Sequence, residues 1–165
     1  MKETELKIHT YGDKVLRNKS LPVKKVGEEE RRILDKMVDI MYTHGGIGLA
    51  APQVGINKQI IIINVGKGLY KLINPKISEK KGSAVLEEGC LSLPGISVEV
   101  KRAKRIFVEA MDEFNKDVAF WADDLFSRAI QHEIDHLVGK LIIDYASFIK
   151  RIKIRKNLKK KLNHK

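Results

Sequence analysis

The stretch Gln131-His132-Glu133-Ile134-Asp135-His136 holds two histidines four residues apart, with an acid directly after the first. On a helix that spacing projects both imidazoles from one face, close enough to share a metal ion. The glutamate between them then stands beside the metal as a general base toward a water that the metal has made acidic. Two exposed histidines on a surface helix would give the same letters, and a catalytic site of this kind needs a third protein ligand.

Beyond His136 the candidates for that ligand are Asp144 and His164, and no histidine or glutamate follows at a zincin-like spacing. Upstream, the single cysteine stands in Glu87-Glu88-Gly89-Cys90-Leu91-Ser92, a glycine-containing turn after an expected strand, where a thiolate can be presented free of helical constraint. One cysteine cannot close an internal disulfide, and taken alone it is more often a small buried hydrophobe. Beside an H-E-x-x-H pair, ligation becomes the better reading. A further stretch, Gly46-Ile47-Gly48-Leu49-Ala50-Ala51-Pro52-Gln53-Val54-Gly55, alternates small residues that let another backbone approach, and Gln53 offers an amide donor. By itself it is a plain glycine-rich turn, because it lacks the lysine and helix start of a phosphate loop.

These residues need elements to hold them. From Glu28 to His44 the apolar positions Ile33, Leu34, Met37, Val38, Ile40 and Met41 form one helical stripe, ended by Gly45-Gly46. Gln59 to Val65, Tyr70 to Asn74, Ser97 to Val100 and Arg105 to Ala110 read as strands, antiparallel because the connections are too short for helical crossovers. A second helix runs from Asp123 or Asp124 to Val138 with Gly139 as terminator, and a third from about Ser147 into a lysine-rich tail. Strands between a first and a second helix make an α+β domain: antiparallel sheets packed around a central helix that carries the histidine pair, with a basic C-terminal helix.

At 165 residues, with scattered prolines and no low-complexity stretch, the chain reads as one domain: residues 1–149 catalytic, residues 150–165 its basic helical extension. That extension holds nine Lys/Arg and no acid, whereas the remainder carries 23 basic against 21 acidic side chains, so nine of the net +11 charges belong to the tail. Phe148, Ile149, Ile152, Leu158 and Leu162 recur at mostly helix-compatible spacing and give the tail one expected apolar side. The charged N-terminus excludes a signal peptide, and the longest aliphatic run, Ile60 to Ile63, is far too short to span a bilayer; the expectation is a cytoplasmic protein with no membrane partner.

Taken together, Gly46-Ile47-Gly48-Leu49-Ala50-Ala51-Pro52-Gln53, Glu88-Gly89-Cys90-Leu91-Ser92 and His132-Glu133-Ile134-Asp135-His136 resemble the three motifs of peptide deformylases of the compact bacterial type, in order and at family-like separations. The resemblance implies a hydrolase of protein biosynthesis that removes the N-formyl group from the formylmethionine of new polypeptides and releases formate. It implies Cys90, His132 and His136 as metal ligands and Glu133 as general acid/base, with Gln53 and the Leu91 N–H as donors to the oxyanion. Ile47, Gly48, Leu86, Glu88, Leu125, Ala129 and His132 would line the methionine pocket, and the peptide would pair with backbone near Gly48 and Gly95. Ferrous iron is the implied physiological metal, with zinc, nickel or cobalt able to substitute, although thiolate plus two imidazoles suits zinc on softness alone. The basic tail would dock at the ribosome near the exit tunnel. Asp124 and Phe126 stand where many members carry glycine and leucine, which bears on pocket size and rim charge, and Lys14 replaces a frequent early proline.

Two other functions compete. A peptidase would share the two histidines and the glutamate but place its third ligand elsewhere. A non-enzymatic RNA- or ribosome-binding protein would explain the tail but has no use for Glu133 between two ligands.

Overall fold

The computed structural model describes residues 6–162. Helix α1, Glu28–Thr43, begins with three acids that suit its N-terminal dipole and buries Ile33, Leu34, Met37 and Met41 at three- and four-residue spacing. Seven strands follow: β1 Gly48–Ala50, β2 Ile60–Ile63, β3 Tyr70–Lys81, β4 Ala84–Gly89, β5 Ser97–Arg102, β6 Arg105–Met111 and β7 Asp117–Asp123. Helix α2 then spans Asp124–Leu137 and helix α3 Phe148–Leu162. The strands form a five-stranded sheet, β1-β2-β3-β6-β7, and a separate β4-β5 hairpin. Every strand pair is antiparallel, as the short connections required.

Strand β2 explains the layering. All four isoleucines are buried because helices cover both faces of the sheet there. Ile60 and Ile62 pack into a core with Leu34, Met37 and Met41 of α1. Ile61 and Ile63 join a second core with Ala129, Ile130 and Leu137 of α2. A third core lies under the hairpin, where Leu93, Val98 and Val100 meet Leu16, Leu141, Ile142 and Ile143.

Gly139 ends α2 with φ +73°, and an added Cβ there would fall 2.5 Å from the Arg17 carbonyl oxygen, so glycine is needed both for the turn and for the close approach. At its other end α2 starts on Asp124 with φ +48°, a left-handed conformation that glycine adopts freely. Its departure from the family pattern is thus a backbone matter. Phe126 is buried against Tyr70 and Phe120, with ring centroids 4.6 and 5.7 Å away, so it fills core and does not shape the site.

The tail corrects one expectation. Ile154 and Leu158, four apart, are buried in the third core, whereas Phe148, Ile149 and Ile152 are exposed on the outer side of α3. The helix therefore has apolar residues on two faces, not one. The Leu162 side chain and residues 163–165, also read as part of this helix, lie outside the described residues. Among the described residues no helix is long and apolar enough to cross a membrane.

Candidate metal centre and cleft

Helix α2 sets His132 and His136 one turn apart, and the turn after β4 brings Cys90 up to them. Cys90 Sγ lies 3.4 Å from His136 Nε2, which is 3.3 Å from His132 Nε2. All three ligand atoms fall within 4.8 Å of one another, so one ion can touch all of them. Of the two downstream candidates, Asp144 pairs instead with Arg17, and His164 lies outside the described residues.

The surroundings fit a cation. Burial raises the Glu88 carboxyl, but hydrogen bonds from His132 and Arg102 outweigh it and hold the group down at about 2. Glu88 is therefore ionised and only accepts, so the 2.9 Å contact between its Oε2 and His132 Nδ1 has the imidazole donating. With Nδ1 donating to Glu88, Nε2 is the nitrogen that faces Cys90 and His136, where a bound cation would take the place of its proton. Burial disfavours charge on His132, yet interactions with Cys90 and Glu88 outweigh it and raise its pKa well above the usual imidazole range; the site attracts positive charge. His136, pushed well below that range by burial and by the nearby His132 and Arg102, is a neutral imidazole ready to donate a lone pair. Its Nδ1 is buried without a partner among the described residues. The donor set of one sulfur and two imidazoles suits a borderline-soft divalent ion.

Glu133 points from α2 past the ligands toward β1. An added Cβ on Gly48 would meet its Oε1 at 2.5 Å, so the glycine gives the carboxyl its room. Burial lifts the Glu133 pKa to about 7, against the pull of His132, which poises it to exchange a proton near neutrality. Gln53, almost fully buried, is oriented by its own backbone: Ala50 N–H donates to its Oε1 at 2.9 Å, which turns Nε2 toward Ser92 Oγ at 3.2 Å and Cys90 Sγ at 3.6 Å. The Leu91 N–H has no acceptor among the described residues.

A cleft of about 580 Å³ opens over this centre. Its walls include Ile47, Gly48, Gln53, Glu88, Cys90, Leu91, Gly95, Leu125, Ala129, His132 and Glu133. His136 lies behind the wall, and Leu86, expected in the pocket, is more than half exposed on β4 and outside the lining. Asp124 and Phe126 are also outside it.

Sequence reasoning missed the ion-pair frame. Arg102, buried at the end of β5, grips Glu88 through Nε and Nη2, each at 2.9 Å, and Asp135 through Nη1 at 2.6 Å. Tyr145 OH donates to the same Asp135 oxygen at 2.7 Å. One side chain thus fixes the hairpin against the ligand helix. Arg128, a cleft residue one turn before His132, also donates to Glu88, at 2.7 Å. Its i−4 spacing from His132 was the available signal.

Residues 5–152 match the family model described as polypeptide deformylase. The chain belongs to that family. The peptide deformylase of Thermodesulfovibrio yellowstonii is 42% identical over 161 residues, covering 94% of this chain and 98% of its own. That of Syntrophomonas wolfei is 47% identical over 137 residues, covering 83% and 90%. Among solved structures, the peptide deformylase of Ehrlichia chaffeensis superposes with TM-score 0.93 at 36% identity, covering 96% of this chain and 97% of that one. A second structure from that organism, in complex with actinonin, gives 0.91 at 38%, covering 94% and 96%. This deformylase is a hydrolase that removes the N-formyl group from new polypeptides, and the peptidase and binding-protein readings are set aside.

Proposed function

We propose that Cys90, His132 and His136 hold one divalent ion and that Glu133 moves the proton during deformylation. The convergence of the three ligand atoms within 4.8 Å carries this reading. When bound, the ion supplies Lewis acidity, making a water acidic near neutral pH and drawing electron density from the formyl carbonyl. Glu133 takes the proton as water adds to the formyl carbon, then delivers it to the amine as the C–N bond breaks, leaving formate and a free N-terminus. Gln53 Nε2 and the Leu91 N–H hold the oxygen on which charge develops; losing one such donor costs about a hundredfold in rate. The contact from Gln53 to Cys90 Sγ, at 3.6 Å, is the weaker of its two and yields to that oxygen.

The recess beside Leu125 and Ala129 takes the first side chain, rimmed by Ile47. The peptide runs as an added strand between backbone near Gly48 and Gly95, with Glu88 and His132 at its head. Ferrous iron is assigned from family membership, and zinc, nickel or cobalt occupy the same ligands. Residues 150–165 extend the catalytic domain of residues 1–149, supported by Ile154 and Leu158 in its core. The outer side of α3, cationic with exposed Phe148 and Ile149, docks the cytoplasmic enzyme on the ribosome through phosphate contacts. Anaerobic purification with metal analysis tests the ion. Glu133→Gln should keep full metal content while turnover of formyl-Met-Ala-Ser falls by about a thousandfold; substantial residual turnover in the loaded variant removes Glu133 from the proton path.

A further inference from the structure

Arg128 enters the cleft wall from α2 on the same helix face as Leu125 and His132, with a side chain only 8% exposed. Its Nη1 donates to Glu88 Oε1 at 2.7 Å and to Val100 O at 2.8 Å, and its Nη2 donates to Ala84 O at 2.7 Å. A guanidinium has five N–H donors. The Nε–H and the second Nη2 hydrogen therefore have no acceptor among the described residues.

Glu88 cannot absorb them. Its two oxygens already accept from Arg102 Nε, Arg102 Nη2, Arg128 Nη1 and His132 Nδ1, which fills a carboxylate's four sites. The charges balance as well, with Glu88 and Asp135 set against Arg102 and Arg128. What the wall lacks is a neutral acceptor: Arg128 Nε is not among the buried atoms without a partner, so this donor is open to solvent and to an acceptor that a ligand brings into the cleft.

We propose that Arg128 makes the floor of the first-residue recess a hydrogen-bond donor, extending the substrate range to N-formyl peptides whose first methionine is a sulfoxide. The inference rests on assigning that recess to the first side chain. Methionine sulfoxide keeps the unbranched shape of methionine but carries a neutral, strongly accepting S=O oxygen. In a hydrocarbon recess that oxygen would be buried unpaired; against Arg128 it meets a charged donor. The reaction is unchanged, with water added across the formyl C–N bond and the sulfoxide left intact.

The test compares kcat/KM of the metal-loaded enzyme on formyl-Met-Ala-Ser and on its analogues with methionine sulfoxide, norleucine or alanine at the first position. The sulfoxide peptide should fall within about tenfold of the methionine peptide. In Arg128→Met, normalised to metal content, the sulfoxide-to-norleucine ratio should drop by about thirtyfold, the weight of one charged hydrogen bond. A sulfoxide peptide no better than the alanine peptide in the unmutated enzyme overturns the proposal, even if Arg128→Met fails to fold. An unchanged ratio in a folded Arg128→Met also overturns it. If alanine equals methionine and norleucine, the recess assignment has failed, and the inference falls with it.

Discussion

At Gly48 a single methyl group decides where the carboxyl of Glu133, proposed above to move the proton, can lie. An alanine Cβ would sit 2.5 Å from Glu133 Oε1 and 3.1 Å from its Cγ and Cδ, so Glu133 must retreat from its place beside the ligands. Misplacing a catalytic group by about 1 Å costs about a hundredfold in rate. Gly48→Ala should therefore lower kcat by about that factor while the bound metal, held by residues the methyl does not reach, stays at full stoichiometry. Normal turnover in that variant would mean that the observed position of Glu133 is not the working one. Glu88 shows the opposite kind of residue: it touches no ligand orbital yet fixes the His132 tautomer, and it is itself fixed by two arginines.

Among the elements, α1 is tied down at its first turn by Glu30, which accepts from Gly27 N–H at 2.9 Å and from Lys58 Nζ at 2.7 Å. The Lys58 bond lowers the Glu30 pKa below 4.5, more than burial raises it. A carboxyl with a depressed folded pKa stabilises above its unfolded value and loses that contribution as pH falls through the folded one. Thermal midpoints of Glu30→Gln and the parent should therefore differ at pH 7, by an amount on the order of 1 kcal/mol, and converge as pH falls below the ordinary carboxyl range through the depressed folded value. A gap that persists undiminished at pH 3 would remove the ionised pair as its cause. In α3, cutting after Ile149 removes Ile154 and Leu158 from the core they share with Ile142 and Ile143, at a cost of about 3–5 kcal/mol that urea unfolding would register. Truncation thus cannot isolate ribosome docking; reversing the charge of the exposed Lys153, Lys156 and Lys160 can, with co-sedimentation at low salt expected to fall while turnover holds. The same elements show how far the letters reach. The pairing of the two histidines on one face was legible because four-residue spacing is local to one helix, and the long helices because their stripes are periodic. Strand β1 has three residues and no period to read. Arg102 and Asp135 look like surface residues, and only their pairing across 33 positions, made in three dimensions, lets Arg102 be buried and Asp135 half-buried. In α3 the inward pair Ile154 and Leu158 competes with three equally apolar outward residues, so spacing alone could not choose the face.

At the scale of the molecule, the proposed ligand set spans two cores: Cys90 packs with the hairpin core, while α2 belongs to the core under the main sheet. An ion bound by Cys90, His132 and His136 would clamp one to the other, and it stabilises the folded state by mass action. Chelation should lower the thermal midpoint and speed alkylation of Cys90, and each tenfold excess of free metal over its dissociation constant should add about 1.4 kcal/mol. Equal alkylation rates with and without chelator, in folded protein, would take Cys90 out of the ligand set. Strand β2 runs between two of these cores with one repeated letter. Four identical buried side chains give no contrast of period two, so a slip of one residue would exchange faces without changing what either face covers. Its phase must be set from outside. Gln59 N–H donates to Leu21 O at 2.8 Å, Asn74 N–H to Gln59 O at 2.9 Å and Asn64 N–H to Ile47 O at 2.9 Å, so main-chain bonds at polar positions act as the address of a strand that carries none of its own.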